Sequence, residues 1–226
     1  MKISQLLDKA RSQREAGKSQ LALNTFNEVL LLGQKNKNYA QIVEALGDKA
    51  IIWRHLFEEK HDPIFAVLAR KDAETMLELV KLWAVGEKLH TAYYLLGQAA
   101  LLFEEYTVAE KYFFKSLRYF KGSLAEKGSW KYHWAKTLYL TGQKKKALLA
   151  FASSIYEIKK HAPQTDSFLV NVYLSGAYSH LAQVLMKDSP QEAKKYFSEA
   201  SKIVSSDKRL VVRKKQLGRL SSHFQK

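Results

Sequence analysis

Apolar residues recur along the chain at steps of four and then three, each time starting from alanine. The triplets are Ala22/Phe26/Val29, Ala73/Leu77/Val80, Ala109/Phe113/Ser116, Ala147/Phe151/Ser154 and Ala193/Phe197/Ala200. This spacing keeps all three members on one helical face. The alanine lets a neighbouring helix approach closely, and the large residue plugs the gap beside it, so Phe113 and Phe151 are expected as core plugs. Recurrence of one such unit predicts stacked helical repeats rather than a closed globule.

The flanking pattern predicts helices over 3–16, 19–33, 38–59, 63–85, 87–104, 106–121, 125–141, 143–161, 166–187 and 190–205, with an eleventh over 207–223. Asp62-Pro63 and Ser189-Pro190 each combine a capping residue with proline at the first helical position. Gly17 and Gly142 mark tight turns inside two of the pairs. The eleventh helix mixes Leu210, Val211, Leu217, Leu220 and Phe224 with Lys and Arg, as expected of a cap that covers an apolar end and shows water a polar face.

Leu46-Gly47 with Ala50, and Leu96-Gly97 with Ala100, precede the second and third triplets. Together with Tyr93, Ala109, Phe113 and Ser116 they give a chain that resembles the tetratricopeptide repeat (TPR) family. The five alanines lie 51, 36, 38 and 46 residues apart, against a family period of about 34, so the helices or connections are long. The resemblance implies an all-α, right-handed superhelical solenoid of five helix-turn-helix repeats over residues 1–206, with a basic C-terminal capping helix over 207–226. It also implies a non-catalytic scaffold that holds a peptide or helix of a partner protein in its concave groove.

In the first helix of each repeat, groove-facing positions are offset from the core stripe by one residue, about 100°. That stripe reads Leu7/Arg11/Arg14, Glu44/Asp48/Ile51, Tyr94/Gln98/Leu101, Tyr132/Lys136/Tyr139 and Tyr178/Ala182/Leu185. Tyrosine holds the equivalent place in three successive repeats. Tyr94, Tyr132 and Tyr178 are therefore expected either as a partly exposed ladder contacting a docked peptide, with Gln98, Lys136 and Tyr139 beside them, or as packing between long helices. Glu44 and Asp48 occupy the positions where some TPR proteins grip a terminal carboxylate, and acidic side chains there would repel one.

The net charge of +15 is carried by the second half: residues 1–110 are at −1, whereas 111–160 reach +10 and 187–226 reach +7. This suggests an acidic partner. The alternative partner is RNA or another polyanion, held without sequence preference by Lys144, Lys145 and Lys146 and by Arg213, Lys214, Lys215 and Arg219.

Cysteine is absent, which excludes disulfides and thiolate chemistry. Glu58/His61 and Glu87/His90 have di-iron ligand spacing but fall at helix ends outside the core phase, so no metal is expected. His55, His133, His161, His180 and His223 show no ligand spacing, and His180 is read as an interior histidine. No phosphate loop or nucleophile motif is present, so neither cofactor nor catalysis is expected. The chain shows no signal peptide and no apolar run of membrane-spanning length, and the expected setting is the cytoplasm.

Overall fold

The computed structural model describes residues 2–222 and 224, which form eleven α-helices and two short 3-10 turns in two compact units. Met1–Lys121 holds α1 (Ile3–Glu15), α2 (Ser19–Lys35), α3 (Tyr39–Lys60), α4 (Pro63–Leu82), α5 (Leu89–Leu102) and α6 (Tyr106–Arg118). Gly122–Lys226 holds α7 (Leu124–Leu140), α8 (Lys144–Lys160), α9 (Ser167–Leu185), α10 (Pro190–Ser206) and α11 (Val211–Ser221). Successive helices pack as pairs, and within each unit the first helix of one pair also packs on the first helix of the next.

Local chemistry sets the helix starts. Asp62 accepts a hydrogen bond from the Ile64 amide at 3.0 Å, with Pro63 opening α4. Ser123 accepts from Glu126 at 3.2 Å and Asp166 from Phe168 at 3.0 Å. Ser189 precedes Pro190 but makes no side-chain capping bond, unlike the expected match to Asp62. Gly17 and Gly142 take left-handed φ values of 73° and 85° at their turns. Ala84 and Glu104 enter the same region at 54° and 57°, where a side chain is strained.

The repeated triplets form the core. All five alanines are fully buried, as are Phe26, Phe113 and Phe151. A methyl group on Gly97 would fall 2.9 Å from the Phe113 ring, so the α5–α6 packing requires glycine there. In the second repeat Leu77 is only half-buried, and the plug is Met76, at 1% exposure, whose sulfur lies against Gly47. In the fifth repeat Phe197 is half-buried and stacks on Phe224, with ring centroids 4.7 Å apart.

Helix α11 starts four residues later than expected, because Asp207 is not its cap. Its carboxylate accepts from Arg209 Nε at 2.9 Å and from Asn171 Nδ2 at 3.1 Å instead. Hydrogen bonds first from Arg209 and then from Asn171 hold that carboxyl far below the usual carboxylate range. Leu210, Leu217 and Leu220 are buried with Ala200, Val204 and Tyr178. Residue 223, where the eleventh helix was expected to end, and residues 225–226 lie outside the described residues.

Candidate functional site

In Met1–Lys121 the first-helix stripe begins with charge. Arg11 donates to Asp48 at 2.8 Å and to Glu44 at 3.1 Å. Arg14 also pairs with Asp48, and Lys88 with Glu44. Burial by itself would lower the pKa of both arginines, but the facing carboxylates outweigh it and raise them. Burial likewise opposes ionisation of Glu44, and Lys88 and Arg11 together bring its pKa below the ordinary value. The acidic positions of α3 are thus matched by the basic positions of α1, and this stretch holds itself together electrostatically.

One turn further along α3 the character changes. Arg54 Nη1 donates to Gln98 Oε1 on α5 at 2.9 Å, and Arg54 Nη2 lies 2.8 Å from His55 Nε2. A cavity of about 50 Å³ opens here, lined by Ala50, Ile51, Arg54, Ala69, Tyr94, Leu95, Gln98 and Ala99. Three alanines make the space, because no larger side chain fills it. Gln98 is only 6% exposed, and its Nε2 has no hydrogen-bond partner; Arg54 Nε is also buried without one. Gln98 Nε2 therefore borders this space without a hydrogen-bond acceptor, while Arg54 Nε has the Glu58 carboxylate 3.9 Å away as an ion-pair partner. Tyr94 is half-buried at the rim, edge-on to Phe113 at 5.7 Å.

The other tyrosines lie differently. Tyr132, Tyr139 and Tyr178 are buried at 4%, 9% and 7% exposure, which corrects the expectation of a row of partly exposed rings. Gly176 on α9 provides the room for Tyr132, since a methyl there would fall 2.9 Å from the phenol carbon. The Tyr132 ring also packs on His133 at 4.2 Å and on His180 at 5.2 Å. Tyr139 donates to Asp188, which also receives Lys144 Nζ at 2.6 Å. Burial and then the Asp188 carboxylate push the Tyr139 phenol up to about 12. Tyr178 stacks on Tyr196 at 6.1 Å. Lys136 is half-buried and reaches Gln183 at 3.3 Å.

The basic runs are partly occupied as well. Lys144 is held by Asp188, and Lys146 lies 5.3 Å over the Trp134 ring, while Lys145 is exposed. Arg213 donates to Gln216 at 2.8 Å and to the Val172 carbonyl at 3.4 Å. Lys214 and Lys215 are exposed and Arg219 is half-buried.

His90 is buried at 7% exposure, edge-on to Phe120 at 5.3 Å, whereas His61 caps α3 on the surface. His180, read as interior, is half-buried within α9, and His133 is the more buried of the two. His223 lies outside the described residues. Among the described residues no group of three or more His, Asp or Glu is placed to hold a metal. No helix among them is long and apolar enough to cross a membrane.

Arg54 escaped the sequence reading. Its signal was a charged residue one turn beyond Ile51 on the same stripe of a helix 22 residues long.

No protein-family model and no curated protein sequence matches the chain. Solved structures do. A Podosopora anserina protein described as kinesin light chain nearly identical TPR-like repeats aligns with a TM-score of 0.56 at 12% identity, covering 91% of this chain and 97% of that one. A point variant of that protein gives 0.57 at 12% identity, covering 90% and 95%. The chain therefore has an all-α, TPR-like helical repeat fold.

Proposed function

We propose that the chain is a non-catalytic protein–protein interaction scaffold, and that the face formed by α3 and α5 holds a peptide or helix of the partner. The observation that carries this reading is the cavity bordered by Gln98 and Arg54. A buried donor without an acceptor costs about 1–3 kcal/mol, and a peptide carbonyl or carboxylate entering the cavity would relieve that cost. A space of about 50 Å³ fits one such group. Tyr94 at the rim offers a rigid aromatic face with one hydrogen-bonding tip, which suits peptide capture at low entropic cost. An acidic side chain fits best, because the guanidinium of Arg54 forms stronger bonds to a charged acceptor. In the second unit Lys136 is the polar handle, and Tyr132, Tyr139 and Tyr178 shape the α7–α9 face from beneath.

The test is a panel of labelled extended peptides with and without acidic residues, read by fluorescence anisotropy. Gln98→Leu should weaken the best binder about tenfold, as loss of a charged hydrogen bond does. Equal binding by the wild type and Gln98→Leu would remove this face as the site.

A second reading draws on the charge of residues 122–226, where 19 Lys and Arg face 7 Asp and Glu. RNA or another polyanion would be held by Lys144, Lys145, Lys146, Arg213, Lys214, Lys215 and Arg219, with Lys144, Lys146 and Arg213 first released from the contacts described above. Such binding falls steeply with salt. Heparin retention that does not change between about 50 and about 200 mM salt would dismiss it.

A further inference from the structure

Helix α8 carries a second pattern on the side turned away from the core. Its inner face buries Ala147, Ala150, Phe151, Ser154 and Ile158. On the outside, Lys145, Leu149, Ala152, Tyr156 and Lys159 follow one another at steps of four, three, four and three, and all five are exposed. Leu149 is 73% and Tyr156 63% exposed, with Leu148 at 40% beside them. This is the spacing of a coiled-coil seam, which in a folded helix ordinarily meets a facing helix. Here nothing among the described residues covers it. We propose that this face of α8 docks an amphipathic helix of a partner protein, with acidic residues flanking that helix's apolar seam.

The dimensions and the chemistry both select this occupant. Lys145 and Lys159 are 14 residues apart, about 21 Å along the axis, so the docked helix contributes about four turns. Ala152 at the centre lets its backbone come close, and Leu149 and Tyr156 on either side supply the knobs. Lysine closes both ends of the stripe: Lys145 is exposed, Lys159 is exposed with its ammonium 5.8 Å over the Tyr178 ring of α9, and Lys160 lies 5.8 Å over the Tyr156 ring. The one acidic residue of α8, Glu157, is paired with Lys131 away from the seam. A second copy of this chain would bring the five lysines of α8 against five more, which charge disfavours. A lipid surface calls for a broad apolar face, and the exposed apolar side chains of α8 form a narrow strip. Nucleic acid would leave Leu149 without a role, and α8 contains no arginine for bidentate phosphate contacts.

The probe is a fluorescein-labelled helical peptide with Leu at the a and d positions of two heptads and Glu at e and g. A version with Lys in place of Glu and a scrambled Glu peptide of equal composition serve as comparisons. Anisotropy should show saturable binding of the Glu-flanked helix alone. Leu149→Glu should weaken it at least tenfold, and the double variant Lys145→Glu/Lys159→Glu should shift preference to the Lys-flanked helix. All three positions are exposed, so melting temperatures should stay near wild type; Tyr156→Ser gives an independent variant with the same expected loss. Absence of saturable binding, equal binding of the scrambled peptide, or indifference to both Leu149→Glu and Tyr156→Ser would overturn the proposal. Gln98→Leu should bind the Glu-flanked helix as wild type does. A loss there would assign the binding to the α3–α5 face and likewise overturn the α8 site.

Discussion

Replacing Gly97 and Phe113 singly and together measures the contact on which the third repeat rests. Phe113 is fully buried, and a Cβ added at Gly97 would lie 2.9–3.0 Å from three of its ring carbons. Phe113→Ala removes the plug and should cost about 3–5 kcal/mol. Gly97→Ala gains about 1 kcal/mol of helix propensity but loses about 1–3 kcal/mol to overpacking, leaving a net cost of about 0–2 kcal/mol. In the double variant the ring is gone and the new methyl enters the space it left. Gly97→Ala should then stabilise by about 1–2 kcal/mol, from propensity plus burial of one methyl. The coupling is therefore about 1–4 kcal/mol, reaching the upper end of the range of about 0.5–3 kcal/mol for residues in direct contact. Urea denaturation of the four proteins gives it. Additivity within about 0.5 kcal/mol would mean that Gly97 and Phe113 do not form the α5–α6 contact.

Ala84 is exposed with φ 54°, so Ala84→Gly relieves backbone strain without removing a buried group, and thermal melts should show about 0.5–1 kcal/mol of stabilisation. Tyr132→Ala should destabilise by about 3–4 kcal/mol, as truncation of a buried aromatic does, and a loss below about 1 kcal/mol would contradict its burial. His90 has its pKa lowered, first by burial and further by Lys88 and Lys121, so the folded state resists protonation where the unfolded chain does not. Stability should therefore fall as pH drops from about 6.5 through the folded pKa and level off below it. His90→Phe should remove that slope from pH-dependent melts.

The repeat core was legible because it depends on residues whose partners lie on the neighbouring helix at a fixed offset. Ala109 and Phe113 announce a helix face, and Leu96-Gly97 announces the surface that receives it. The second repeat shows where this reading slips by one residue. Met76 and Leu77 are both large and apolar, and only the position of Gly47 selects the flexible methionine as the plug. The choice between an exposed ladder and packing was hidden for a related reason. The burial of Tyr132 depends on what the next first helix offers to receive its ring. Gly176 receives Tyr132 across the α7–α9 contact, yet as a sequence feature it is only a glycine inside a helix. Pairing between α1 and α3 was equally hidden, since Arg11 and Asp48 are 37 residues apart and become partners only once the helices stack.

The two proposed surfaces both ask for acidic groups, but through different physics, and ionic strength separates them. At α3–α5 the donors are desolvated: Gln98 is 6% exposed and Arg54 Nε is buried. Hydrogen bonds made there lie inside the protein boundary, where mobile ions do little screening. Along α8 the lysines stand in solvent, and the screening length shrinks from about 10 Å at 0.1 M salt to about 3 Å at 1 M. Long-range attraction of Glu residues to Lys145 and Lys159 is therefore lost as salt rises, while the Leu149–Ala152–Tyr156 strip keeps its apolar contribution. A partner that uses the cavity should hold its affinity across that range, and one that uses α8 should lose most of its charge selectivity and retain a weaker, sequence-tolerant grip. If instead the Glu-flanked and Lys-flanked helices remain as well separated at about 1 M as at about 0.1 M, their discrimination arises from buried contacts, and the exposed lysines of α8 are not its source.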